Sequence, residues 1–483
     1  MKKTKLKELF AVDLRALALF RISVALIILI QLFDRARVLE ALYSDQGLFP
    51  RALAIRLANP WDWSLYLSNG SVPGTAFLFL TAAFFAICLL LGYQTRGAAF
   101  FSYLFNVSLQ NRNVFIPNGG DYLLRLLLFW CLFLPLGERL SLDSQRTRSH
   151  PITSHQIISM GATALLLQTA FMYIFSALTK MTSQAWLSGE AVLDALTLEH
   201  YARPLAFFLR DLLPAGICKL MTFAVMGVEF FGGLLLFFPF FTPMLRLLAV
   251  LLLASLQLGF GLALEVNLFP LVAIAAMLPF LPSFVLDQLF PKRLKEKDAL
   301  PSRPVWAGSW FGNALAGFFL IYILLSNVEG LTYKSPLYQR FVPQAILPTA
   351  IRKIGNFLAL DQSWDMFIPP GKVTYWYVSV GKLKDGKVVD ILKDGAPVIW
   401  EKPRPIFKTE PWRAFLMNLG GPHKDELLPY AGPYFCRKWN GAHLPAESLE
   451  SFEIYLMSQE NERPPQSPTR HYLSLASFSC AKI

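Results

Sequence analysis

Charge is what this sequence most conspicuously lacks. Only 16% of its 483 residues are Asp, Glu, Lys or Arg, against about 25% in an ordinary soluble chain. Hydrophobic residues make up 54% and the mean hydropathy is +0.43. A string of soluble cytosolic domains, which the length alone would suggest, is therefore excluded. Cysteine is scarce too: the five present have no CxxC spacing, which excludes a zinc ribbon or a dithiol redox motif. GxxxxGK[ST], HExxH, GxSxG and a nucleotide-binding glycine pattern are all missing. No metal centre is expected. The formal charge of +12 comes without an Arg/Lys stripe interleaved with aromatics, so no nucleic-acid partner is expected either.

The apolar residues cluster in runs long enough to meet a bilayer. About nine candidate spans can be drawn, near 14–32, 73–91, 98–110, 122–136, 157–178, 221–240, 245–264, 268–286 and 310–325. A full crossing takes about 20 residues, so the third and fourth are short. The Lys-rich start, Met1 to Glu8, precedes an apolar run with no small-residue cleavage site and reads as a retained anchor. With nine crossings the termini face opposite sides. The loops on the N-terminal side carry about 14 Lys and Arg, against about 9 in the longer opposite set. Lys292, Arg293, Lys295, Lys297 and Arg303 form the densest cluster, whereas Arg35 and Arg37 fall on the wrong side. The expectation is a multi-pass protein of the cytoplasmic membrane with its N-terminus inside.

Composition divides the chain into a membrane part, 1–329, and a polar, Pro-rich tail, 330–483. Val373 to Val380 reads as a strand, Asp385-Gly386 as a hairpin turn and Lys387 to Leu392 as the returning strand. A second Asp-Gly at 394–395 suggests a three-stranded meander. Glu410 to Leu419 suits a short helix stopped by Gly420-Gly421. Phe452–Met457 and Tyr472–Phe478 suit further strands. The expected fold is thus an all-α multi-pass membrane domain of about nine transmembrane helices with a C-terminal α+β extracytoplasmic domain. In that compartment Cys436 and Cys480 either pair or stay as free thiols.

Ionisable groups within membrane spans are costly, by about 2.5–3.5 kcal/mol each on insertion scales, and so are functional candidates. Arg21 and Glu229 lie deep in the first and sixth runs. They read as a structural ion pair, as a proton-handling Glu229, or as the lining of a wet cavity. Asp121 and Arg125, four apart, share a helix face after Asn118-Gly119-Gly120; a cap and turn, or a polar pocket at the membrane boundary, would each use them. Lys180 closes the fifth run. A lysine there commonly extends its amine to the interface. Held instead in an apolar pocket, it loses solvation of its ammonium form and becomes a base. Trp186 and Glu190 follow closely enough to supply a wall and a carboxylate.

These stretches, LFRISVALIIL, IPNGGDYLLRLLLFWCLFLPLGE (116–138), YIFSALTK with WLSGEAVLDAL, VEFFGGLLLFFP (228–239) and VNLFP (266–270), resemble the HTTM family. That family takes its name from a horizontally transferred transmembrane domain related to vitamin K-dependent gamma-carboxylase. The resemblance covers roughly 9–325, and DQSWDMFIPP, GKLKDGKVVDIL and YFCRKWN in the tail look like bacterial members. It implies a lysine amine that is deprotonated and attacks reduced vitamin K, whose oxygenation product then abstracts a glutamate γ-proton before CO₂ adds to the carbanion. Lys180 is the position that resembles that lysine. The chain departs from the carboxylase pattern by having Thr179 in place of a paired lysine, and no acidic stretch before Trp186. Gly119, Gly120 and Asp121 stand where a histidine is expected, and Gln257 where many relatives would carry one.

The expected function is therefore a carboxylase-like membrane protein acting on a reduced vitamin K-type quinone, or another lipid, at the outer face. Lys180, Glu190 and Asp121 would be its catalytic candidates, with Asn118, Arg125, Trp186 and Gln257 binding substrate. A membrane lipid and an extracytoplasmic protein or peptide substrate are the implied partners. A non-catalytic lipid-binding or assembly protein that recognises partners through its tail is the alternative. A transporter with Arg21 and Glu229 along its path is the third.

Overall fold

The computed structural model describes residues 8–146, 155–290, 305–334, 336–339, 345–461 and 470–481. The Lys292–Arg303 basic cluster and most of the Lys-rich start lie outside them. Helices of nine residues or more are labelled in chain order. In the membrane part these are α1 (Leu14–Ala36), α2 (Val72–Leu91), α3 (Thr95–Arg112), α4 (Gly119–Cys131), α5 (Met160–Lys180), α6 (Pro204–Leu212), α7 (Ala215–Leu235), α8 (Thr242–Ala263), α9 (Phe269–Met277) and α10 (Trp310–Lys334). In the tail they are α11 (Thr349–Phe357), α12 (Glu410–Leu419) and α13 (Lys424–Ala442).

Polar residues set where the apolar helices begin. Asp13 accepts from the Arg15 amide at the start of α1, Ser71 from Gly74 at α2, and Ser159 from Ala162 at α5. At α4, the Asn118 side chain accepts from Gly120 and Asp121 while Asp121 accepts from the Asn118 amide, which closes a capping box. Gly92 ends α2 in the left-handed region, φ +65°, where a Cβ would strike the Arg21 guanidinium. Three two- or three-residue strands, β1 (Val12–Asp13), β2 (Gln156–Ile158) and β3 (Val305–Trp306), tie the starts of α1, α5 and α10 together.

Six described helices are long and apolar enough to cross a bilayer: α1, α2, α5, α7, α8 and α10. A seventh is added if α9 with its short continuation to Phe280 and the helix Ser283–Leu289, bent by 106°, make one broken span. The expected count of nine also included α3 and α4. Both helices are present. However, α4 has 13 residues, about 20 Å at 1.5 Å per residue, and α3 buries Asn106, Gln110 and Arg112 instead of an unbroken apolar surface. α4 is buried among other helices, and α3 exposes Phe100 and Phe101 while turning its polar residues inward, where they find protein partners.

In the tail, β4 (Val373–Leu383), β5 (Val388–Asp390), β6 (Leu449–Glu460) and β7 (Arg470–Ser479) form an antiparallel sheet in the order β5-β4-β6-β7. The Asp385-Gly386 turn is there, with Gly386 at φ +87°. The second Asp-Gly leads to a single bridge, Asp390 to Ala396, and not to a third meander strand. Pro397, Pro403 and Pro405 follow, and proline cannot donate to a ladder. β6 instead pairs along the other edge of β4, with Trp376 opposite Met457. Cys436 of α13 is bonded to Cys480 just beyond β7, with Cα atoms 5.5 Å apart.

Candidate functional site

Lys180 is the last residue of α5, one turn beyond Ser176 and on the same face. Its side chain turns inward and is 5% exposed. The Nζ atom donates to Ser176 Oγ at 2.6 Å and to both Glu229 oxygens at 2.6 and 2.9 Å. Glu229 comes from the adjacent helix α7 and is 3% exposed. The Trp186 ring centroid lies 5.1 Å from the amine, near enough for an indole face to favour a cation. Trp186 is fixed in turn, because its Nε1 donates to the Phe367 carbonyl at 2.9 Å.

These groups border a cavity of about 410 Å³. α5, α7 and α8 wall it in the membrane part, with Leu205 and Leu209 from α6 and Trp364, Met366 and Phe367 from the tail. Its surface is overwhelmingly apolar. The polar exceptions are mainly Lys180, Glu229, Ser176, Tyr173 and Gln257. Gln257 Nε2 donates to the Tyr173 hydroxyl at 3.3 Å, whereas Gln257 Oε1 is buried without a protein partner. An orphaned buried acceptor in an apolar chamber is a mark of a binding site.

Residues 11–283 match the HTTM domain. The chain belongs to the HTTM family. No curated protein and no solved structure matches it. The HTTM domain thus spans α1 to α9, and the segments that carry the resemblance are those that build the cavity and its surroundings.

The other sequence candidates of this HTTM protein fall into different neighbourhoods. Arg21 and Glu229 do not meet, and this corrects the expected pair and the shared transport path. Arg21 Nη1 donates to the Leu136 carbonyl at 2.9 Å and its Nη2 to that of Leu140, so it staples the loop after α4. The depth assigned to Glu229 assumed a helix starting near 221, whereas α7 starts at Ala215. Asp121 and Arg125 share a face of α4 and are bridged by the Gln110 side chain, which donates to the Asp121 carbonyl and accepts from Arg125, but their charged groups pair elsewhere. Asp121 binds Arg35 at 2.7 Å and accepts from Gln31, while Arg125 binds the Asp361 carboxylate at 2.7 Å. Asn118 caps α4 and reaches Glu410 of the tail. Glu190 precedes the short helix Ala191–Thr197, half-buried and off the cavity wall.

The structure thus brings Lys180, Trp186, Gln257 and Glu229 together and gathers Asp121, Asn118 and Arg125 into a second polar cluster. Sequence reasoning missed Ser176 and the tail residues on the cavity wall. Ser176 had a signal, its i−4 spacing from Lys180; Trp364 and Phe367 had none beyond lying in a tail segment rich in aromatics. Among the described residues, no group of three or more His, Cys, Asp and Glu could hold a metal ion.

Proposed function

We propose that this integral membrane HTTM protein binds a reduced vitamin K-type quinol, or a lipid with a similar ring, in the Lys180 cavity and uses the Lys180–Glu229 pair to move a proton. One observation carries the reading: a buried amine, held by a hydroxyl and a carboxylate, borders an apolar chamber that also contains an unpaired acceptor. The residues fit the group. Apolar walls suit an aromatic lipid, Trp186 offers a ring face, and Gln257 Oε1 can accept from a ring hydroxyl. When bound, the quinol supplies an oxygen-reactive ring that no side chain provides.

The protein's part is positioning and proton transfer. Glu229 is the resident acceptor for the Lys180 proton, and its departure leaves a neutral amine at the cavity wall as a base. Ser176 holds Nζ in place during that exchange. The apolar walls exclude water, which strengthens these electrostatic contacts. The excess of basic residues in the N-terminal-side loops, together with a disulfide in the tail, supports an extracytoplasmic tail and rim on a multi-pass protein of the cytoplasmic membrane. A protein or peptide substrate would then arrive on the tail side.

Purified full-length protein given a reduced naphthoquinone and oxygen is expected to form epoxide, and Lys180→Ala to abolish it. Turnover unchanged in Lys180→Ala would remove the catalytic reading. The second reading, a non-catalytic lipid-binding protein, draws on the same ion pair, because a fully engaged ammonium is also a structural brace. Stable co-purification of a quinone without turnover would favour it.

A further inference from the structure

The segment that leaves α11 for the first tail strand runs without regular structure through Ala359 to Gly371. Irregular backbone that borders lipid must have its polar groups satisfied by protein. Two of its carbonyls, and two at the helix end just before it, are capped by four separate membrane-domain side chains. Trp63 donates to Phe357, Tyr103 to Leu358, Arg125 to Asp361 and Trp186 to Phe367. Gln168 of α5 adds a bond to the Gln362 side chain at 2.9 Å. Met366 packs so closely on Gly119 that a Cβ there would lie 2.6 Å from its sulfur. The segment is therefore a fixed strap and not a hinged lid.

From this strap Trp364, Met366 and Phe367 form the tail's share of the cavity wall. Phe367 has φ +58°, a left-handed conformation that bulky residues rarely adopt and that glycine adopts freely. Its ring lies against Tyr201, centroids 5.4 Å apart, while its carbonyl holds Trp186 over the Lys180 amine. Backbone strain of this kind costs about 1–3 kcal/mol and persists because the surrounding contacts over-determine it.

We infer that Phe367 determines specificity: the strap sets the size of ring substituent the cavity accepts, so the tail selects the lipid that the membrane helices bind. The inference rests on the cavity being a quinone site, as proposed above. A wall held at both ends cannot retreat from a larger ligand, so discrimination is steric and follows the volume of one side chain.

The test uses full-length protein in detergent and a series of 2-methyl-1,4-naphthoquinones whose 3-substituent grows from hydrogen to a branched alkyl group. Binding is read by quenching of tryptophan fluorescence. Phe367→Gly relaxes the backbone and enlarges the wall; Phe367→Trp narrows it. Both keep the carbonyl that holds Trp186. The expected result is a preference for larger substituents raised about tenfold in Phe367→Gly and shifted the other way in Phe367→Trp. If Phe367→Gly fails to fold, Phe367→Trp alone decides the direction. The wild-type order of preference in both variants would overturn the specificity role while leaving the quinone site standing. Absence of saturable quenching in the wild type would overturn the quinone reading and this inference together.

Discussion

Lys180 Nζ and Glu229 Oε2 lie 2.6 Å apart between two membrane helices, with both side chains buried. Neither charge reaches bulk water, so each depends on the other for its solvation. Removing one partner leaves an uncompensated buried charge, which typically costs about 3–5 kcal/mol, whereas replacing both with apolar groups is often neutral. Lys180→Met and Glu229→Leu should each lower the unfolding midpoint in detergent, and the double variant should recover much of the loss. A double variant as unstable as the sum of the singles would contradict this account.

Gln257 has one polar atom held by the protein and one left for a ligand. Its Oε1 has no protein partner, but its Nε2 holds the buried Tyr173 hydroxyl. Gln257→Leu is therefore expected to cost about 1–3 kcal/mol of stability through that hydroxyl alone, and Tyr173→Phe in the same background to recover it. Naphthoquinone affinity is expected to fall about tenfold, since a ring hydroxyl loses its acceptor. Fluorescence titration and thermal unfolding on the same samples check both halves.

Arg21 makes the opposite case. Its guanidinium holds the carbonyls of Leu136 and Leu140, and Gly92 must lack a Cβ to admit it. Arg21→Ala strands those carbonyls in a buried site, at a cost of about 1–3 kcal/mol. Ligand affinity should not change, because Arg21 does not border the cavity. A specific loss of affinity with normal stability would return Arg21 to the functional residues.

Glu410 makes the contact between tail and membrane part sensitive to pH. It lies beside Arg413 and reaches Asn118 and Asn267. Burial pushes its carboxyl up to about 7 from 4.5, with Arg413 pulling the other way. The folded state therefore holds this proton more tightly than the unfolded chain. The resulting stabilisation is complete below about pH 4.5 and is lost as pH rises to about 7, by roughly 3 kcal/mol. Glu410→Gln should flatten that part of the stability profile. An unchanged slope between pH 4.5 and 7 would show that another group carries it.

The Cys436–Cys480 bond closes a separation of 44 residues around the outer edge of the tail sheet. Its reduction is expected to destabilise the tail by about 2–4 kcal/mol. Thiol labelling of intact cells by a membrane-impermeant reagent, before and after reduction, checks the bond and the side it faces together. Cys436 and Cys480 should react only after reduction.

Runs of apolar residues determined the membrane character and the places where helices form, because a bilayer leaves the backbone no other partner than itself. Local chemistry likewise determined the caps at Asn118 and Ser159, the Asp385-Gly386 turn and the helix from Glu410 to Leu419. It did not disclose α13, since Pro429 and Pro433 inside that helix argue against it on local grounds. Nor did it assign partners. Lys180, Glu229, Trp186 and Gln257 could each be named as candidates from the chain, but which acid meets which base depends on how far each helix is shifted along its neighbours. That shift is set by side-chain packing and by loops such as Ala185 to Arg203, not by any spacing along one segment. Only tertiary structure therefore could send Glu229 to Lys180, give Arg21 its carbonyls, and bring Phe367, 187 positions after Lys180, to the wall of the same cavity.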